Sequence, residues 1–219
     1  PGAKEAGVAN FIDRALEEDL ASQDPTTTCL IPPDQQGVAV ILAKAQGVLA
    51  GVGVACAVFT RVDPSLQTTV LKQDGAPLMP GDYIARVQGS VSGILRAERT
   101  ALNFIQRMSG IATLTSKYVK AVEGYPVHIV DTRKTAPGLR YLDKYAVRMG
   151  GGRNHRLNLA DGILVKDNHI AALQARGVSL REAVRRAVAL APHTLKVEVE
   201  VETVQQAREA LDGGAHILL

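Results

Sequence analysis

The chain has no tryptophan, and aromatic residues make up 4% of its 219 positions. Single-stranded nucleic acids are bound by aromatic platforms interleaved with basic residues. That pattern is missing here, which makes a nucleic-acid role the weakest reading. There are two cysteines, Cys29 and Cys56, in unrelated contexts and without CxxC or metal-type spacing. This excludes a disulfide scaffold and reads as two free, buried thiols in a reducing compartment. The longest apolar stretch, residues 47–59, is too short and too glycine-rich to span a bilayer. The first residues lack the basic start and apolar core of a secretory signal. Together these absences lead to the expectation of a cytosolic protein. Two phosphate-binding signatures are also missing: no GxxxxGK[ST] occurs, and the glycine-rich segment at 150–152 is not GxGxxG.

What is present is ordinary in bulk and uneven in detail. The composition, 46% apolar and 21% charged, is that of a globular chain able to bury one large or two small cores. The net charge of +3 is small. Between Asp131 and His169, however, eight Lys/Arg stand against four Asp, an excess of four, so the rest of the chain sums to about −1.

Hydrophobic periodicity divides the chain. Val8 to Leu20 has helical spacing, and Asp24-Pro25-Thr26-Thr27-Thr28 reads as its break. Strands are predicted at 38–43, 68–72 and 83–87, a helix at 51–62, and a turn at 77–82. Residues 93–123 predict a long helix with an apolar stripe through Ile94, Leu95, Leu102, Ile105, Ile111 and Leu114, and Gly110 as a possible break. Arg99 lies on the flank of that stripe, where a charge either snorkels to solvent or serves an interface or site. After Gly124 the rhythm becomes strand, loop, helix. Strands are predicted at 127–130, 163–165, 196–201 and 216–219, with helices at 180–191 and 204–211. Such alternation indicates βα units around a parallel sheet or barrel. The expected fold class is α/β, with domains at 1–106 and 107–219. The chain stops within a predicted strand, so the barrel is expected to be truncated at its C-terminal end.

Two predicted strands discharge cations at their C-terminal ends, where α/β proteins place ligands. The first runs into Asp131-Thr132-Arg133-Lys134-Thr135. Arg133 and Lys134 set a bidentate fork beside a point charge, which suits phosphate or carboxylate. The second ends in Lys166-Asp167-Asn168-His169. Between them, Gly150-Gly151-Gly152 reads as a nest whose amides approach an anion, and His155-Arg156 follow with a proton carrier and a further cation. The plainer readings are a solvated face for Arg140 and Arg153, a core or flanking place for His128, a cap or packing role for His169, and a surface loop for His193. Residues 196–202 alternate strictly, which by itself is a half-exposed strand. In a barrel, inward carboxylates at Glu198 or Glu200 would need a cation or metal beside them.

These segments, with Glu98-Arg99-Thr100-Ala101-Leu102-Asn103, Gln106-Arg107-Met108-Ser109-Gly110-Ile111-Ala112-Thr113 and Gly150-Gly151-Gly152-Arg153-Asn154-His155-Arg156, resemble the quinolinate phosphoribosyltransferase family from about Glu18 to Leu219. The resemblance implies an N-terminal α/β sandwich followed by an incomplete, seven-stranded α/β barrel, in a head-to-tail dimer or a hexamer of dimers. It implies transfer of phosphoribosyl from phosphoribosyl pyrophosphate to quinolinate, giving nicotinate mononucleotide, pyrophosphate and carbon dioxide in de novo NAD synthesis. Magnesium enters with the pyrophosphate, and no protein metal ligand is assigned. By the same resemblance Arg133, His155 and Arg156 hold the quinolinate carboxylates, and Lys134 and Lys166 lie near both substrates. Thr132 is a substrate-binding position, and Arg99 reaches the neighbouring subunit's site. Glu200 is matched to the ribose-side glutamate, with Glu198 competing for that place. Lys134, Lys166 and Glu200 are the expected catalytic set. The alternatives are a truncated, non-catalytic anion-binding relative and a phosphoribosyltransferase of the same fold for another acid.

Overall fold

The structure, a computed structural model, describes residues 3–219 and falls into two compact units, up to His155 and from Arg156 onward. In the first unit the element order is α1 (Ala3–Glu18), α2 (Pro25–Leu30), β1 (Gln36–Leu42), β2 (Gly47–Val48), α3 (Val52–Val62), β3 (Gln67–Val70), β4 (Pro77–Leu78), β5 (Tyr83–Ser90), α4 (Val91–Ala121) and α5 (Arg140–Met149). Strands β1, β5 and β3 form an antiparallel sheet with β5 in the centre, and β2 pairs with β4.

Helix α4 is the spine of this unit, and α3 and α5 both pack against it. It starts where the Ser90 hydroxyl accepts the Gly93 N–H at 3.2 Å. Ile94, Ala97, Ala101, Phe104, Ile105, Met108 and Ala112 form its buried stripe, at the three-to-four-residue spacing of a core-facing helix. Gly110 does not break it. The helix continues to Ala121, and an exposed glycine weakens a helix by only about 1 kcal/mol relative to alanine. Leu49, Val58, Val87 and Leu142 fill the core around it.

The Asp24-Pro25 segment opens a helix rather than interrupting structure. The Asp24 carboxylate accepts the Thr26 and Thr27 N–H groups at 3.0 and 3.2 Å, and Pro25 occupies the first turn, where its missing N–H is harmless. These amide bonds and the Thr27 hydroxyl hold the Asp24 carboxyl below its ordinary pKa. The cysteine expectation is half corrected: Cys56 is buried, which pushes its thiol pKa up, but Cys29 is exposed.

Residues 127–130 do not form the predicted strand. They pair only through one parallel bridge, Val130 with Arg153. Val127 and Val130 stay about half exposed and bury no apolar face, and His128 is exposed rather than in a core. Helix α5, unforeseen, follows this segment.

The second unit is built from β6 (Ile163–Val165), α6 (Asp167–Gln174), α7 (Leu180–Leu190), β7 (Val197–Val199), α8 (Val204–Asp212) and β8 (Ile217–Leu218). Its strands are parallel, in the order β6-β7-β8. Val165, Ile170, Leu180, Val184, Val197, Val199 and Ala210 make the core. The alternation of 196–202 does not give a half-exposed strand. All three residues of β7 are buried, Glu198 with them at 6% exposure. The result is the expected α/β class, antiparallel with helices in the first unit and parallel βα in the second. The expected domain division at 106 and 107 falls inside α4. No helix among the described residues is long and apolar enough to cross a membrane.

Candidate active site

In the first unit two segments run side by side: the chain entering Thr132-Arg133-Lys134 and the chain entering His155. The Arg153 N–H donates to the Ile129 carbonyl at 2.9 Å, and the Asp131 N–H donates to the Arg153 carbonyl at 3.1 Å. Asp131 then joins them by side chain. Its carboxylate accepts from the Lys144 ammonium, from the His155 N–H at 2.8 Å and from Asn154 Nδ2 at 2.7 Å. Lys144 comes from α5, and the Lys144 and Asp131 side chains are 4% and 8% exposed.

A second acid, Asp143 of α5, fixes the other side of the loop. Asp143 receives both Arg107 nitrogens, Nε at 3.0 Å and Nη2 at 2.9 Å, and also the Ala136 N–H at 3.2 Å. Arg140 is not on a solvated face. Its Nε donates to the Thr135 hydroxyl at 3.1 Å and an Nη reaches the Arg133 carbonyl at 3.4 Å. The Thr132 hydroxyl accepts the Lys134 N–H at 3.0 Å, closing a tight turn.

Within that frame the ligand-type groups are left over. Arg133 Nε is buried and has no hydrogen-bond partner among the described residues. A buried guanidinium N–H without an acceptor is costly, and Arg96 Nε is in the same state. Lys134 is exposed at the loop tip, and a cleft of about 270 Å³ beside it is lined by Thr132, Lys134, Asp131 and Arg107. Arg99 is exposed on α4, with no partner among the described residues. Arg153 is exposed, as its plain reading had it.

The glycine triplet is not an anion nest. The Gly150, Gly151 and Gly152 N–H groups donate to the Ala146, Arg148 and Val147 carbonyls at 3.0 Å each, so all three amides cap α5. A Cβ on Gly150 would lie 2.3 Å from the Ala112 carbonyl oxygen, and one on Gly152 would lie 2.8 Å from Thr115. These glycines let α5 approach α4 closely.

In the second unit, Lys166 and Glu200 share one end of the sheet. Val165 pairs with Val199 in the β6–β7 ladder, and the Glu200 N–H donates to the Val165 carbonyl at 2.9 Å. Lys166 follows β6 and Glu200 follows β7, so both stand at the C-terminal edge, half-buried. Glu198 lies one step deeper, opposite Leu164. The Lys166 N–H donates to His169 Nδ1 at 3.0 Å, which makes His169 a cap of α6, one of the roles expected for it. Arg156 is half-buried and its Nη1 reaches the Gly162 carbonyl at 3.5 Å. His193 is exposed. Among the described residues, no group of three or more His, Cys, Asp or Glu gathers to hold a metal.

Asp131, Asp143, Lys144, Asn154 and Arg107 went unremarked as functional in the sequence. One signal was available: Asp143 and Lys144 interrupt the buried stripe of α5 between Leu142 and Ala146. Adjacent charges at core positions call for buried partners.

Each unit is an α/β arrangement with basic residues just beyond a parallel pairing: Arg133 and Lys134 after the Val130–Arg153 bridge in the first, and Lys166 after β6 in the second. The sequence matches the quinolinate phosphoribosyl transferase N-terminal domain over residues 24–109 and its C-terminal domain over 111–219. It is 44% identical over 92% of its length to a probable nicotinate-nucleotide pyrophosphorylase (carboxylating) of Bacillus subtilis, and covers 68% of that protein. A mitochondrial quinolinate phosphoribosyltransferase (decarboxylating) of Nicotiana tabacum is 44% identical over 90% of the chain, which spans 56% of it. Among solved structures, NadC from Streptococcus pyogenes superimposes with a TM-score of 0.90 at 43% identity, covering 96% of this chain and 73% of that one. The nicotinate-nucleotide pyrophosphorylase from Francisella tularensis gives 0.88 at 36% identity, covering all of this chain and 75% of that one. The chain belongs to the quinolinate phosphoribosyltransferase family.

Proposed function

We propose that the protein transfers phosphoribosyl from phosphoribosyl pyrophosphate to quinolinate, releasing pyrophosphate and carbon dioxide and forming nicotinate mononucleotide for NAD synthesis. The observation that carries this reading is the family match over nearly the whole chain, reinforced by the partnerless, buried Arg133 Nε beside Lys134. Quinolinate presents two ring carboxylates. A guanidinium fork at Arg133, with His155 and Arg156, supplies matching donors and fixes the ring nitrogen for attack. In this reading Lys134 and Lys166 lie near both substrates, and Thr132 is a substrate-binding position.

Cleavage of the bond from ribose to pyrophosphate leaves a cationic sugar and a strongly anionic leaving group. Lysines stabilise the departing anion, and magnesium arrives with it as part of the substrate. Glu200 at the strand edge, level with Lys166, suits the ribose side better than the deeper Glu198. Loss of carbon dioxide follows from the nucleotide, whose ring nitrogen is already positive.

Arg99 completes the site of a second copy in a dimer or hexamer. Its exposure on α4 without a partner among the described residues supports this. A cytoplasmic location belongs to the same reading. The names of the relatives do not favour a non-catalytic anion-binding protein or an enzyme for another acid.

The test is an assay of the purified chain with quinolinate, phosphoribosyl pyrophosphate and magnesium, following nicotinate mononucleotide. Lys134→Ala should lose about 2–4 kcal/mol of transition-state stabilisation, whereas Arg185→Ala, on an exposed helix face, should match wild type. Equal behaviour of the two variants would remove Lys134 from the site.

A further inference from the structure

Lys144 looks in sequence like one more cation for the ligand, and Asp131 like one more loop acid. Their geometry gives them a different task. Asp131 accepts the His155 N–H at 2.8 Å, and Lys144 donates to the His155 carbonyl at 3.0 Å. One ion pair therefore holds both main-chain polar groups of His155. Asn154 locks the arrangement, donating from Nδ2 to Asp131 at 2.7 Å and to the Lys144 carbonyl at 2.8 Å. Asp131 is also the residue immediately before Thr132, so the same carboxylate fixes the start of the Thr132–Lys134 turn.

We infer that Asp131, Lys144 and Asn154 are positioning residues that set the spacing between His155 and the Arg133–Lys134 turn, and so determine affinity for the dicarboxylate substrate without touching it. The inference rests on the proposed quinolinate reading. Three observations separate this role from plain stabilisation. A buried ion pair is weak in stability terms, because desolvation offsets much of its attraction. The pair nevertheless stands where the two anion-binding segments adjoin, with Lys144 4% exposed and two of its protons already donated to the protein. Its hydrogen bonds converge on the backbone of a residue read as a ligand clamp, rather than on a distant part of the core. Groups that orient a binding residue govern affinity nearly as strongly as the residue itself.

The experiment compares wild type, Asn154→Ala, Lys144→Met and the control Arg185→Ala, measuring quinolinate binding by calorimetry, steady-state kinetics and thermal unfolding. Asn154 is exposed, so its alanine variant should fold, with a melting temperature lowered by no more than about 6 °C. It should nevertheless raise KM for quinolinate about tenfold, the size of one lost charge-assisted hydrogen bond. The kcat and the KM for phosphoribosyl pyrophosphate should stay within about twofold. Lys144→Met should weaken quinolinate by about a hundredfold where it folds, since it frees the His155 carbonyl and leaves Asp131 without its counter-charge. If Lys144→Met does not fold, Asn154→Ala decides. An active wild type whose Asn154→Ala variant binds quinolinate normally, or only melts earlier, overturns the positioning role and leaves the proposed function standing. A wild type that neither binds nor converts quinolinate overturns both.

Discussion

Replacing Gly150 by alanine separates two explanations of the glycine triplet. Gly150 has φ −79° and ψ 4°, an ordinary backbone for any residue, so alanine there meets no conformational penalty. What it meets is α4: the new Cβ would stand 2.3 Å from the Ala112 carbonyl oxygen and 2.7 Å from Thr115 Cβ. Real contacts of this kind keep at least about 3.0 Å, so the end of α5 must move away by roughly 0.7 Å or more. The carbonyl belongs to a long helix and cannot swing aside. Overpacking against such a wall costs about 2–3 kcal/mol. For a chain of this size that lowers the melting temperature by about 4–12 °C. The assay is thermal and urea unfolding of Gly150→Ala beside Gly151→Ala, whose φ of +85° makes a purely conformational loss of about 1–2 kcal/mol. Equal stability of Gly150→Ala and wild type would refute the packing argument. If that stable variant also lost anion binding, the nest reading would return.

Arg107→Met removes both guanidinium bonds to Asp143 and leaves that buried carboxylate with only the Ala136 N–H. Because the Arg107 side chain is 40% exposed, the expected loss is about 2 kcal/mol by urea denaturation, less than for a fully buried pair. Asp143→Asn in the same background should recover part of it, and a double-mutant cycle without coupling would contradict the bidentate pairing. Tyr145→Phe removes the hydroxyl that donates to Asp74 at 2.7 Å, which should cost about 1 kcal/mol near neutral pH. Burial and the Asp74 carboxylate push the Tyr145 phenol from 10.0 up to about 12. An acid whose folded pKa is raised gives stability that is full below its unfolded value and lost as pH climbs to the folded one. Wild type should therefore lose stability between about pH 10 and 12 more steeply than Tyr145→Phe, and parallel pH profiles would contradict this.

The fold was legible wherever apolar spacing was strong and local. The stripe from Ile94 to Ile111 announced α4, and the apolar run at 163–165 announced β6. Illegible features depended on partners far away in the chain. Val127 to Val130 carries strand composition, but a strand requires neighbours, and among the described residues only Arg153 supplies one. The Asp24-Pro25 dipeptide signals equally a break or a capped helix start, and only the amides of Thr26 and Thr27 decide between them. Three glycines in a row look like an anion cradle until Ala112, nearly forty residues earlier, is seen against them.

The site shows the same division more sharply, because all lysines and arginines look alike in a sequence. Of the eight between Asp131 and His169, Lys144 is committed to Asp131, Arg140 to the Thr135 hydroxyl and Arg133 carbonyl, and Arg148 lies 5.6 Å from the Tyr145 ring centre. Charge counting therefore missed how many of these cations are committed within the protein. It also misjudged the acids, which seemed to dilute the positive field. Asp131 and Asp143 are buried and bound to Lys144 and Arg107, where their charges are answered internally and cannot compete for Arg133 or Lys134. A polyanion site needs cations held in place against their mutual repulsion. Buried acids that grip the backbone, each neutralised by its own base, hold the chain around Arg133 and Lys134 without pairing with either.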